Sequence, residues 1–211
     1  MRKANVVLVS LILLVVASFD LHAYSWNSHG IQYGRLTEHE RFEDTRYETS
    51  IDSLGFYSSA FHFNWDAELG YFVHSAMLFP WEATVMIDST FFGVTFEQAD
   101  FAAQWSLMTG PAMRYPFSYG STSYFGLGPE ISLMVITIDG ESYWDFDWGV
   151  GFSMGYLYDF SSNSFMDAGV VLDYRFASYA RGPGDGGWTK AEEYGGYSFS
   201  SYIGFSIGGY R

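Results

Sequence analysis

The 211-residue sequence contains no cysteine and almost no lysine, since Lys190 is the only lysine after Lys3. Without cysteine the chain has no disulfide, no thiolate metal ligand and no thiol nucleophile. The formal net charge is −14. Such an excess of carboxylates repels nucleic-acid phosphates, so we expect no nucleic-acid partner. After residue 23 no apolar run approaches the roughly 20 residues that a membrane-spanning helix needs.

The first 23 residues have the features of an export signal. Arg2 and Lys3 precede a short apolar run over 6–17, and Ala23 offers a small residue at a cleavage position. We therefore predict a cleaved signal peptide over 1–23 and an exported domain over 24–211. The lack of cysteine also removes the lipid-bearing residue that a bacterial lipoprotein would need.

Aromatic residues and glycine are abundant, whereas charge is scarce. Aromatic residues make up 21% of the chain, glycine occurs 23 times and charged residues make up 16%. Soluble domains average about 25% charged residues. This composition indicates a surface that is poorly suited to water.

The stretch WDFDWGVGFSMGYLY, residues 144–158, alternates strictly. Every second residue from Trp144 to Tyr158 is apolar or aromatic, and nearly all residues between them are acidic or small. A period of two predicts a strand with two unlike faces. The same alternation occurs at 69–79, 101–107, 123–135, 166–176 and 197–207.

Nine segments read as strands in this way. They are 24–36, 49–63, 67–79, 83–96, 100–115, 121–136, 143–158, 165–179 and 194–210. A closed barrel with both termini on one side needs an even number, so either 24–36 is an extension or 83–96 belongs to a long loop. We favour the second choice, because it keeps short turns at one end and long loops, over 37–48 and 180–193, at the other.

The apolar face is predicted to face lipid. A soluble barrel would need a charged exterior, but here the polar face consists of glycine, serine, alanine and a few acids, which suit a narrow barrel interior. Trp148 and Tyr156 flank apolar residues at a spacing that suits the aromatic girdles of membrane barrels. The predicted fold is an all-β, eight-stranded antiparallel up-and-down transmembrane barrel in the outer membrane. The alternative is a secreted soluble barrel or sandwich.

Three segments resemble small outer-membrane barrels of the OmpW and OmpA type. They are FSIGGYR at 205–211, FNWDAELGYF at 63–72 and the strand–turn–strand stretch at 106–134. The predicted function is that of a non-enzymatic, porin-like barrel in the bacterial envelope, with a structural or interaction role or passage of small apolar molecules, and the resemblance to OmpW-like proteins implies only the last of these. It also implies contact with membrane lipids, outer-leaflet glycolipid and the barrel-assembly machinery, with a small apolar molecule as a further candidate ligand.

A polar network is predicted inside the lumen. Unpaired buried charges are costly, so the inward charges are expected to pair and fill the barrel. The candidate members are His62, His74, Arg114, Glu130, Asp167, Asp173 and Arg175. Asp145 and Asp147 are interpreted as residents of a wet barrel mouth near the 137–142 loop.

Other functions remain as alternatives at this point. A narrow ion pore would use the same inward charges, and a lipid-modifying enzyme at the rim would need a histidine with a serine on the same face. His74 and Ser75 are adjacent and therefore face opposite sides. No catalytic, cofactor or metal-binding residues are predicted, and the acidic loops match no calcium-loop pattern.

Overall fold

The structure is a computed structural model that describes residues 24–42, 44–63, 68–87, 90–95, 99–116, 121–161 and 164–209. The predicted signal peptide over 1–23 lies outside the described residues. No helix among the described residues is long and apolar enough to cross a membrane. The strands are β1 Tyr24–Phe42, β2 Thr45–Phe63, β3 Leu69–Ile87, β4 Thr90–Thr95, β5 Phe101–Pro116, β6 Ser121–Ile138, β7 Glu141–Ser161, β8 Ser164–Arg181, β9 Thr189–Lys190 and β10 Glu193–Gly209.

Eight of these strands form a closed antiparallel ring. The order around the ring is β10, β1, β2, β3, β5, β6, β7 and β8, and the pairing of β8 with β10 closes it. Two short strands lie outside the ring, β4 against β3 and β9 against β8. The predicted eight-stranded up-and-down barrel is confirmed. Closure leaves the ring strands without free edges, which is the condition for a sheet to span a bilayer.

The structure agrees with the preferred strand count. Residues 24–36 belong to β1, which pairs with both β10 and β2. Residues 83–96 contain the end of β3 and then β4, which fold back on each other as a hairpin beyond the ring. This segment therefore prolongs a strand without adding a ninth member to the barrel.

The barrel has two unlike ends. The end that carries Tyr24, Gly209 and the β2–β3, β5–β6 and β7–β8 connections is called the terminal end, and the opposite end is called the loop end. The ring strands have 16 to 21 residues, whereas about 9–11 tilted residues cross a bilayer. Strands therefore continue past the membrane at the loop end.

This extension corrects the prediction of a charged loop over 37–48. β1 continues to Phe42 and β2 begins at Thr45, with Phe42 paired to Thr45. The prediction was wrong because the outer face of a strand outside the membrane is exposed to water, so its residues need not alternate between apolar and polar. A similar tight hairpin joins β6 and β7 at Asp139 and Gly140, whose φ angles of 52° and 77° suit a two-residue turn.

The outer wall is an apolar band with aromatic borders. Trp148 and Tyr158 on β7 are exposed and ten residues apart, or about 25 Å along the barrel axis at a tilt of about 40°. Between them Val150, Met154 and Tyr156 also face outward. On β1 the apolar outer face ends at Arg35, whose side chain is 58% exposed. The band height matches that of outer-membrane barrels.

Candidate functional site in the barrel lumen

The terminal end of the lumen is filled by an aromatic layer. Trp26 stacks on Phe61 with ring centroids 4.9 Å apart and on Phe63 at 5.2 Å, and Phe61 stacks on Phe72 at 5.6 Å. All four side chains are at most 1% exposed. They come from β1, β2 and β3, where the inward positions nearest the terminal end are aromatic.

This layer reverses the expected faces on β2 and displaces one predicted network residue. Because Phe61 and Phe63 point inward, His62 between them points outward, where its ring lies 5.3 Å from that of Tyr71. His62 therefore does not lie in the lumen. Arg114 does have an inward position, but its guanidinium lies 5.4 Å from the centre of the Phe63 ring, at the terminal end. It is separate from the other predicted charges.

Above the aromatic layer, three tyrosines surround Asp167. The Tyr124 hydroxyl donates to Asp167 Oδ1 at 2.5 Å, and the Tyr57 hydroxyl donates to Oδ2 at 3.3 Å. The hydroxyls of Tyr124 and Tyr202 lie 2.6 Å apart. Asp167 is fully buried. Its hydrogen-bond donors are neutral tyrosine hydroxyls, whereas the sequence suggested pairing with arginine.

His74 lies at a similar depth between two polar partners. Its Nε2 lies 3.0 Å from Gln32 Oε1, and its Nδ1 lies 2.6 Å from Ser59 Oγ. If Nε2 carries the proton and donates to Gln32, then Nδ1 accepts from the Ser59 hydroxyl. The serine on the same face as His74 is thus Ser59, from the neighbouring strand, and all three side chains are buried.

Arg175 is the centre of a charged cluster near the loop end. Its Nη1 lies 3.1 Å from Asp147 Oδ2, and its Nε lies 3.1 Å from Asp173 Oδ1. Its Nη1 also lies 3.4 Å from Glu38 Oε1, and its Nη2 lies 3.8 Å from Glu130 Oε1. The structure brings together Glu130, Asp173 and Arg175 from the predicted network.

Two residues in this cluster, Asp147 and Glu38, differ from the prediction made from the sequence. Asp147 is 1% exposed, so it is buried in the lumen and does not line a wet mouth. Glu38 is absent from the predicted network because residues 37–48 were predicted to form a loop. The signal that could have found it is the continuation of the β1 phase, because Glu38 and Glu40 follow the inward positions Gln32, Gly34 and Leu36.

The acids beyond the apolar band have perturbed protonation equilibria. Glu38 and Glu40 lie beyond Arg35 on β1, and Asp145 lies beyond Trp148 on β7. Burial raises the pKa of Glu40 to about 7. Burial, followed by the charge of Asp147, raises the pKa of Glu38 and that of Asp145 well above their usual values. The loop end of the lumen therefore holds more carboxyl groups than its surroundings stabilise in the charged form.

Between these layers the described residues line a cavity of about 20 Å³, beside His74, Gln104, Glu130 and Arg175. A cavity of this size holds about one water molecule. The described side chains therefore close the lumen at both the aromatic layer and the Arg175 cluster.

Comparisons with known proteins identify the architecture. No family model matches the sequence, and no curated protein matches it. Neisserial surface protein A has a similar structure, with a TM-score of 0.57 at 10% identity over 89% of this chain and 99% of that protein. OprG from Pseudomonas aeruginosa is similar with a TM-score of 0.60 at 12% identity over 90% and 98%. These two similarities show that the chain has the fold of the small outer-membrane β-barrels.

Proposed function

We propose that this chain is a non-enzymatic outer-membrane barrel with a closed lumen, and that it acts through its loop end in envelope structure and surface contacts. The observation that carries the proposal is the continuous filling of the lumen from Trp26 to Arg175. A lumen that is filled with side chains favours a structural role, because transport would need a continuous open path through the barrel.

The ion-pore alternative has little support in this interior. An ion would have to pass Phe61 and Phe72, which are at most 1% exposed, and then the four carboxylates that Arg175 holds. The cavity between these layers has room for about one water. Planar-bilayer recordings of the purified protein test this point: the proposal predicts no unitary conductance, and steady channels would overturn it.

Passage of a small apolar molecule along the lumen meets the same obstacle. The polar layer around His74 and Asp167 is buried, so an apolar solute would displace hydrogen-bonded groups without replacing their partners. We therefore assign the chain a structural and interaction role in preference to transport.

The lipid-hydrolase alternative requires an accessible nucleophile. Ser59 and His74 are close enough for a nucleophile–base pair, but the third group is the amide of Gln32 and the site is buried inside the lumen. A hydrolase site instead needs room for a substrate carbonyl beside the nucleophile. We propose that the pair stabilises the β1–β2–β3 wall and carries out no chemistry.

The outer-leaflet glycolipid is the partner that best fits the outer face of β1 and β2. Arg35 lies at the loop-end border of the apolar band, is 58% exposed and has a long contact of 3.9 Å with Asp52. Arg41 lies further along the same face, is 38% exposed and contacts Glu192 at 3.4 Å and Glu193 at 3.0 Å, so a phosphate would compete with these two carboxylates. Guanidinium groups bind phosphate in a bidentate manner, so they suit phosphorylated head groups at this height.

Glycolipid retained by the purified protein tests the assignment. The double variant Arg35→Gln, Arg41→Gln should retain less glycolipid than the wild type. Arg114→Gln makes the same charge change inside the terminal end and should retain the wild-type amount. Equal retention by all three proteins would argue against this surface.

A further inference from the structure

Three carboxylates from two strands that do not pair meet at the loop end of the lumen. Glu38 lies on β1, and Asp145 and Asp147 lie on β7. One oxygen from each of them lies within 4.8 Å of the others. Oxygen ligands of Ca²⁺ lie 2.3–2.6 Å from the ion, so ligands on opposite sides of it are about 4.6–5.2 Å apart. The three oxygens thus have the spacing of a first coordination shell.

The charge around this trio is poorly balanced. Among the described residues, Glu40, Glu130 and Asp173 also face this part of the lumen, and Arg175 is the basic side chain that interacts with the trio, Glu130 and Asp173. Six carboxyl groups thus surround one guanidinium. Buried charge of this kind is neutralised by protons or by a bound cation.

Each member of the trio has one oxygen engaged by a protein donor. Arg175 donates to Asp147 Oδ2, Ser178 donates to Asp145 Oδ1 at 2.8 Å, and Tyr194 donates to Glu38 Oε1 at 2.8 Å. The other oxygen of Asp147, Oδ1, is fully buried and has no hydrogen-bond partner among the described residues. A buried carboxylate oxygen without a partner calls for a hydrogen-bond donor or a cation.

We propose that Glu38, Asp145 and Asp147 bind one Ca²⁺ ion. The donors are all carboxylate oxygens, which suit a hard cation, and the described lumen offers no histidine or thiolate at this height for a softer metal. Ca²⁺ is favoured over Mg²⁺ because three carboxylates and bound water can satisfy its flexible geometry, whereas Mg²⁺ demands a near-ideal octahedron.

A solvent-open chamber of about 240 Å³ lies at the loop end and is lined by His39, Glu40, Arg41, Arg46 and Glu193. Glu40 also interacts electrostatically with Asp145, so we infer that the ion enters from this chamber. By joining β1 to β7, Ca²⁺ would brace the loop end across the lumen.

Terbium luminescence of the purified full barrel in detergent tests the site directly. Tb³⁺ is a probe for Ca²⁺ sites, and the phenol of Tyr194, which donates to Glu38, is placed to sensitise it. Tyrosine or tryptophan excitation should give saturable Tb³⁺ emission that Ca²⁺ displaces at lower concentration than Mg²⁺. Emission that does not saturate, or that Ca²⁺ fails to displace, would overturn the proposal.

Asp145→Asn is the decisive variant, because Asp145 makes no ion pair with Arg175 and asparagine can still accept from Ser178. It should weaken Tb³⁺ binding at least about tenfold, as for loss of a metal-site group. The matched control is Asp139→Asn, the same change at the exposed β6–β7 turn, where asparagine also tolerates the positive φ. The control should bind within about twofold of the wild type. Equal binding by Asp145→Asn and the control would contradict the site.

Thermal unfolding supplies a second, independent measurement. Without Ca²⁺, Asp145→Asn should melt at a higher temperature than the wild type, because one repelling charge is gone. With Ca²⁺, the wild type should gain stability by ligand linkage and Asp145→Asn should gain little. If Asp145→Asn loses the heat-modifiable gel shift of a folded barrel, Glu38→Gln serves in its place for the Tb³⁺ titration and for the gain in stability with Ca²⁺, and an undiminished Ca²⁺ effect in that variant refutes the site.

Discussion

The guanidinium of Arg175 and the carboxylate of Asp147 lie 3.1 Å apart, and both side chains are at most 3% exposed. This ion pair joins β8 to β7 inside the lumen. Nη1 of Arg175 lies closer to Asp147 than to Glu38, at 3.1 Å against 3.4 Å. Breaking such a buried pair leaves uncompensated charge in place. The charged cluster therefore acts as a plug whose integrity depends on one residue.

Arg175→Met should destabilise the barrel by about 3–5 kcal/mol, the usual cost of removing one partner from a buried ionic network. Arg35→Met removes an exposed arginine whose pair with Asp52 spans 3.9 Å, and it should cost no more than about 1 kcal/mol. Urea unfolding of both variants in lipid vesicles gives the comparison. Similar losses for the two would show that the Arg175 cluster is solvated in the folded protein.

Phe61→Ala should open a cavity in the aromatic layer and cost about 3–5 kcal/mol. Phe56 lies on the same strand but faces outward and is 64% exposed, so lipid can fill the space that Phe56→Ala leaves. The same vesicle unfolding assay should rank Phe61→Ala as the more damaging change. The reverse order would mean that β2 has the opposite phase, with Phe56 inside the lumen and Phe61 outside.

Gly126→Ala tests how tightly the lumen is packed. A methyl group at Gly126 would lie 2.5–2.7 Å from three ring carbons of Phe72, which is itself fully enclosed. Overpacking of this kind costs about 1–3 kcal/mol. Gly186→Ala, at a position in the β8–β10 connection with open space around it, should be nearly neutral. A neutral Gly126→Ala would mean that the aromatic layer is loose.

His74→Ala distinguishes a structural role from a catalytic one. It leaves Ser59 and Gln32 without their partner and should lower stability by about 1–3 kcal/mol. The lipid profile of outer membranes that contain the variant should match that of membranes with the wild type. A change in acylation that follows the wild-type protein and disappears with His74→Ala would restore the enzyme hypothesis.

Much of the barrel is readable in the sequence, because a period of two is a local property. The alternation at 144–158 predicted β7, and the structure places Trp148 outside and Asp147 inside as that alternation requires. Alternation shows that a strand has two faces, but it does not show which one points inward. On β2 the inward face near the terminal end is aromatic, and for that reason His62 was placed on the wrong side.

The candidate site was harder to predict because it depends on contacts between distant strands. Arg175 meets Glu38, 137 residues away in sequence, only because β8, β10 and β1 are consecutive in the ring. The same applies to Ser59 and His74, which pair through the β2–β3 register. A sequence without aligned relatives fixes neither the register nor the height of one strand relative to another.

The most direct test of the closed lumen is planar-bilayer conductance of the wild type beside the double variant Phe61→Ala, Arg175→Ala, which removes one member from each plugging layer. Both proteins must first show the heat-modifiable gel shift of a folded barrel. We predict that the wild type shows no unitary steps and that the double variant conducts measurably. Steady unitary conductance from the wild type, equal to that of the variant, would contradict the account.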